Sequence, residues 1–141
     1  MTRVLVHCCC VHCAAYTLQY WREQGYDVSA YWYNPNIHPF IEHQKRLQSI
    51  RQFVSDKGIK FIEEGEYPLE TYLKAVVGHS TTNERCGICY LIRMTKTALY
   101  AAAHGFEAFS STLIISPQQN HDCIIAAGNK AEESSGIKFL Y

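Results

Sequence analysis

Short apolar runs alternate with longer amphipathic ones along most of this chain, and the alternation predicts strands and helices in turn. Val4, Leu5 and Val6 form the first strand. Residues 14–24 put Leu18 and Trp21 on one helical face and stop at Gly25, a residue suited to the left-handed turn that closes a helix. Val28, Ala30 and Trp32 alternate as a second strand, which runs into the rigid loop Asn34-Pro35-Asn36-Ile37-His38-Pro39. Residues 40–57 are the most regular helix, with Phe40, Leu47, Ile50 and Val54 at helical spacing and Gly58 behind them. A strand over 59–62, a short helix over 69–77 and a longer helix from Cys86 or Gly87 to His104 follow. The last third reads as a strand over 106–109, a segment 113–115 leading into Ser116-Pro117, a helix over 120–134 and a strand over 137–140. Gly128 weakens that last helix by about 1 kcal/mol relative to alanine.

Alternation of strand and helix of this kind predicts an α/β fold: a doubly wound, mainly parallel sheet flanked by helices, as a single domain over 1–141 without repeat or linker. Sheets of this kind bind ligands beyond the carboxyl ends of their strands. The segment after the first strand is where the chain is chemically most unusual. Cys8, Cys9, Cys10 and Cys13 crowd there, and Cys86 and Cys89 form a second group far downstream. Each group precedes a helical run, so both are expected to present thiolates from helix N-termini, where the macrodipole lowers thiol pKa. Adjacent cysteines do not readily pair as unstrained disulfides, which favours a metal or redox centre.

With 141 residues the chain is long enough to bury a core without a metal to fold it. No charged, apolar leader opens it and no apolar run is long enough to span a bilayer, so a cytoplasmic location is expected. Thiols stay reduced there, and the seven cysteines read as ligands or catalytic groups. Lys plus Arg equals Asp plus Glu at 13 each, which removes any global pull towards nucleic acid and leaves only a local basic patch to serve one.

Read from the residues alone, three chemistries stay open: a metal or redox centre drawing on both cysteine groups, a thioredoxin-like thiol–disulfide site using Cys10 and Cys13, and a structural zinc site from Cys10, Cys13, Cys86 and Cys89. The second leaves Cys86 and Cys89 unemployed. The third must bridge 72 intervening residues in a domain that already has a core. Cys123, within the last helical run, reads as a small buried apolar residue. The Tyr31-Trp32-Tyr33 run suits base stacking and core packing equally, and Lys45, Arg46 and Arg51 read first as a solvated helix face.

A resemblance covers nearly the whole chain. The stretch from His7 to Cys13 resembles the H-x-C-C-x-x-C opening of the epoxyqueuosine reductases of the non-cobalamin type. The loop from Tyr33 to Pro39, with Glu42 and Arg46, is similar to that family's second block, and Arg85-Cys86-Gly87-Ile88-Cys89-Tyr90 with Arg93 to its R-C-x-x-C block. Ser111-Thr112-Leu113, Ser116-Pro117, Asn120-His121, Gly136 and Phe139-Leu140-Tyr141 resemble the remainder.

The resemblance implies an oxidoreductase that removes the epoxide oxygen of epoxyqueuosine in a tRNA anticodon, the last step of queuosine synthesis, with a [4Fe-4S] cluster and an electron donor it does not identify. It implies Cys9, Cys10, Cys86 and Cys89 as cluster ligands, with Cys13 beside them for an additional iron or the electron path. Cys13 and His38 are the expected catalytic residues, and Tyr33, Asn34, Asn36, Arg85 and Arg93 the expected substrate contacts. The chain departs from the family pattern at Val11 and His12, where alanine and proline are usual, and in the extra thiol of Cys8. The family also ends in a Cys-Gly-Cys pair, whereas nothing follows Tyr141, so a fragment or a relative with a different reductant or substrate is expected.

Overall fold

A computed structural model describes residues 2–34, 40–63, 82–115 and 121–141, without the side chains of 82–86 and 115. Five parallel strands, β1 (Arg3–His7), β2 (Asp27–Trp32), β3 (Lys60–Glu63), β4 (Ala108–Ser111) and β5 (Lys138–Phe139), form one sheet in the order β3-β2-β1-β4-β5. The described helices are α1 (Val11–Glu23), α2 (Phe40–Lys57), α3 (Thr82–Ala103) and α4 (His121–Ser135), with a 3-10 turn at Thr112–Ile115 after β4. The expected helix over 69–77 lies outside the described residues.

β1 occupies the centre, paired with β2 through Val4 opposite Val28 and with β4 through Val4 opposite Ala108. Successive side chains of a strand point to opposite faces. Val4 and Val6 therefore pack with Val28, Ala30 and Trp32 against Leu18, Trp21, Leu47, Ile50 and Val54 of α1 and α2. Leu5 and Tyr31 face the other side, with Ala101 and Phe106. There α3 and α4 close a second layer of Met94, Ala98, Ile124, Ala127 and Ala131 on Phe109 and Phe139.

Several expected details change. The second strand does not alternate: Val28 to Trp32 is buried throughout, because a strand paired on both edges and covered on both faces has no wet side. On α2 the fourth buried position is His43 and not Phe40, which is exposed. The histidine is tolerated inside because Trp32 Nε1 donates to its Nε2 at 3.3 Å. Helix α1 begins at Val11 and α3 at Thr82, both earlier than their apolar periodicity suggests. Cys13 thus falls in the first turn of α1, while Cys89 lies two turns into α3, beyond the reach of a helix N-terminus.

Helix α1 ends in a Schellman arrangement. Gly25 N–H bonds the Arg22 carbonyl, Tyr26 N–H bonds the Trp21 carbonyl, and Gly25 takes φ 92°, where a side chain would be strained. Gly128 has a different reason. A Cβ there would stand 2.3 Å from the Phe139 ring, so the residue that weakens α4 locally is what lets β5 pack under it. Gly128→Ala should lower stability by up to about 2 kcal/mol, the overpacking cost of about 1–3 less the roughly 1 of helix propensity gained. Chemical denaturation checks it, and Phe139→Leu should recover part of the loss.

Candidate active site

β1 and β4 are neighbours in the sheet whose following helices lie on opposite faces, which makes the gap between their carboxyl ends the topological switch point. Residues 8–10 occupy it. The loop is pinned from the ends of β2 and β4: Cys8 N–H donates to the Tyr31 carbonyl at 2.9 Å, Asn34 Nδ2 donates to the Cys8 carbonyl at 2.9 Å, and Cys9 N–H reaches Thr112 Oγ1 at 3.4 Å.

The four clustered cysteines receive four different environments. Cys8 points into the core, its thiol donating to the Val6 carbonyl at 3.4 Å, and burial pushes its pKa up to about 12. Cys9 contacts Thr112 Oγ1 at 3.5 Å and is held well above the ordinary thiol value, first by the hydrogen bond it makes to the Cys10 sulfur and then by burial. Cys10 is the N-cap of α1, in extended backbone, without a cap hydrogen bond of normal geometry. Its pKa falls to about 5, chiefly through that Cys9 thiol, helped by the Cys13 thiol and by the amides of Cys13 and His12. Cys13 rises to about 11, through burial and the proximity of Cys10. One thiolate is thus held between two protonated thiols.

Beneath this loop His7 is fully buried, with Nδ1 3.2 Å from Ser111 Oγ and Nε2 3.0 Å from the Tyr33 carbonyl. A carbonyl only accepts, so Nε2 carries the proton and Nδ1 accepts from the serine. Burial and then the Arg93 charge lower the His7 pKa to about 3, and the ring is neutral at physiological pH. Arg93 is itself 5% exposed, and its Nε donates to the Cys89 carbonyl at 3.0 Å. Its charge acts on both His7 and Cys9, which ties the buried Cys89 turn of α3 to the β1 loop.

The family model of epoxyqueuosine reductase QueH matches residues 4–141. The chain belongs to that family. It is 45% identical to the epoxyqueuosine reductase QueH of Dehalococcoides mccartyi, over 99% of this chain and 75% of that one. Relatives of the same name from Staphylococcus epidermidis and Streptococcus pyogenes are 32% and 36% identical, and the chain spans 62% and 56% of their lengths. Among solved structures, one described as a predicted subunit of tRNA methyltransferase from Methanocaldococcus jannaschii superposes with a TM-score of 0.61 over 99% of this chain and 67% of that chain. At 11% identity that likeness shows the α/β fold alone.

In this QueH-family chain the fold brings Cys9, Cys10, Cys13, Asn34 and Arg93 around one strand end, with Cys89 on the adjoining turn. Tyr33 is half-buried with Lys96 over its ring. Asn36, His38 and the side chains of Arg85 and Cys86 lie outside the described residues. Lys45 is exposed, Arg46 pairs with Glu42 and Arg51 with Glu63, so that helix face is solvated as its sequence suggests. Cys123 is half-buried against the α3/α4 core. Three site groups escaped the sequence reading: His7 as a buried neutral imidazole, and Ser111 and Thr112 as hydrogen-bonding partners. Their places in the H-x-C-C-x-x-C opening and the Ser111-Thr112-Leu113 block, at strand ends, are the signal that marks them.

Two pH responses follow. His7 binds its proton in the unfolded chain at 6.5 but in the folded chain only near 3, so stability is full above 6.5 and falls as pH drops towards 3, by up to about 1.4 kcal/mol per pH unit. His7→Asn should flatten that slope in denaturation titrations. In the reduced, metal-free chain, alkylation of Cys10 should hold constant from neutral pH downward and fall by half near pH 5, while Cys8 reacts only after unfolding. Mass-spectrometric mapping of the alkylated peptides reads both.

Proposed function

We propose that this family member reduces epoxyqueuosine to queuosine in tRNA at the carboxyl ends of β1, β2 and β4, with an iron–sulfur cluster held by Cys9, Cys10, Cys86 and Cys89. Family membership carries the oxidoreductase class and the epoxyqueuosine substrate. The observation that supports the cluster is the thiolate of Cys10, held by the Cys9 and Cys13 thiols and the first amides of α1 at the switch point of the sheet. Soft sulfur donors in this number suit an iron–sulfur cluster better than a hard cation. Among the described residues no three Cys, His, Asp or Glu side chains already form a cage. The donor set is completed by Cys86, three residues before Cys89 on α3.

Opening an epoxide to an alkene breaks two C–O bonds and takes up two electrons and two protons, and the oxygen leaves as water. The cluster would supply single electrons and a Lewis-acidic iron. The chain supplies the rest. His7, neutral and hydrogen-bonded at both nitrogens, cannot act as an acid at neutral pH, and it holds Ser111 and the Tyr33 carbonyl in position. Cys13 Sγ keeps its proton at neutral pH and stands one turn from the helix start, which suits it to proton or electron delivery. Asn34 orients the loop through the Cys8 carbonyl. In this reading Tyr33, Asn36, His38 and Arg85 contact the modified base or its backbone, the electron donor is a separate protein or small molecule, and an additional iron beside Cys13 is compatible with its half-exposed thiol.

The depressed Cys10 and raised Cys13 also have the polarity of a thiol–disulfide pair, and one variant series separates the two readings. Anaerobically purified protein should carry about four irons and as much acid-labile sulfide. Cys9→Ala, Cys10→Ala, Cys86→Ala and Cys89→Ala should each lose the cluster and epoxide reduction, whereas Cys8→Ala and Cys123→Ala should keep both. Cys13→Ala should keep the cluster absorbance and lose turnover. Full activity in Cys86→Ala, or stoichiometric zinc without sulfide, would refute the assignment.

A further inference from the structure

An aromatic patch on α1 is left over by both the core and the cysteine site. Tyr16 is 61% exposed and Tyr20 42%, yet their rings stack nearly parallel, 11° apart with centroids at 6.3 Å. Cys13, Tyr16 and Tyr20 stand at i, i+3 and i+7, one stripe of the helix, so the patch begins one turn from Cys13. A cavity of about 290 Å³ adjoins it, lined by Tyr16, Thr17, Tyr20, Trp21, Ile114 and Tyr141. Ile114, in the 3-10 turn that also carries Thr112, forms part of its wall. Thr17 and Trp21, both buried, line its inner side.

We infer that the patch is a stacking subsite for an unpaired nucleobase of the RNA substrate, one neighbouring the base that reacts. The inference rests on the RNA-substrate reading above. Exposed ring faces accept any base by stacking, and an RNA strand leaving Cys13 along α1 crosses Tyr16 and then Tyr20. A flat heteroaromatic ring matches the exposed, parallel tyrosine faces, which an aliphatic side chain or acyl chain does not. The subsite contributes stacking to tRNA recognition and does not itself reduce anything.

The test uses the cluster-loaded protein, a double variant Tyr16→Leu/Tyr20→Leu, and its conservative partner Tyr16→Phe/Tyr20→Phe. Binding is measured by fluorescence anisotropy on an unmodified RNA stem–loop and on a blunt duplex of the same stem, with KM measured on the epoxyqueuosine tRNA. The leucine variant should bind the stem–loop about 5- to 100-fold more weakly and raise KM by a similar factor, with iron content unchanged, because stacking of one base is worth that much. The phenylalanine variant should bind like wild type, since the ring and not the hydroxyl does the stacking. Wild-type binding by the leucine variant overturns the subsite and leaves the RNA reading standing. Weakened binding in both variants assigns the effect to the hydroxyls and also overturns stacking. Failure of wild type to prefer the stem–loop over the duplex overturns the subsite and the RNA reading together. Should the double variant misfold, Tyr16→Leu alone carries the measurement, because Tyr16 is the more exposed ring.

Discussion

Everything at this site depends on β1 being hydrogen-bonded along both edges. A strand paired with β2 on one side and β4 on the other cannot slide without exposing buried valines, so the point where it ends is fixed to within a residue. The loop that follows is held to both neighbours by the Cys8 amide on Tyr31 and the Cys9 amide on Thr112, and Asn34 clamps it from beyond β2. Four cysteines in six positions are thereby converted from a crowded stretch of chain into defined directions. Cys8 goes to the core, Cys9 towards β4, Cys10 to the helix cap and Cys13 to the first turn.

Burial and dipoles then act on chemically identical groups with opposite results. Desolvation favours the neutral form of Cys8 and Cys13, while hydrogen bonds to sulfur favour the charged form of Cys10. The same burial keeps His7 neutral beneath a loop that holds one thiolate, where a charged imidazole would compete for the negative sulfur. Arg93 is a permanent cation among the described site residues, and its position on α3 links the second cysteine segment to the first. A single buried guanidinium thus does for the two segments what no direct bond between them does among the described side chains.

The likeness to a structure described as a tRNA methyltransferase subunit, at 11% identity, illustrates how little of this chemistry belongs to the fold. A parallel sheet with a switch point offers a place for a ligand and says nothing of which one. The QueH relatives align over nearly the whole of this chain, and four of its cysteines lie at and just after the carboxyl end of β1.

Hydrophobic periodicity by itself determined the α/β class, the order of the described elements and the extent of α2, because these depend on local spacing and on glycines that stop helices. The H-x-C-C-x-x-C and R-C-x-x-C segments were enough to name the family, since residue types at fixed spacing survive in sequence. Helix starts were less legible: α1 and α3 begin on residues with no apolar stripe, where capping geometry and tertiary support decide. That β2 is buried on both faces, and that His43 replaces Phe40 in the core, depended on sheet order and on the Trp32 indole, neither of which is a local property. The unequal acidity of Cys8, Cys9, Cys10 and Cys13 was likewise invisible in sequence. Adjacent residues share neighbours along the chain, but their pKa values are set by burial and by partners such as Thr112 and Arg93, which arrive from more than 80 residues away only when the sheet closes.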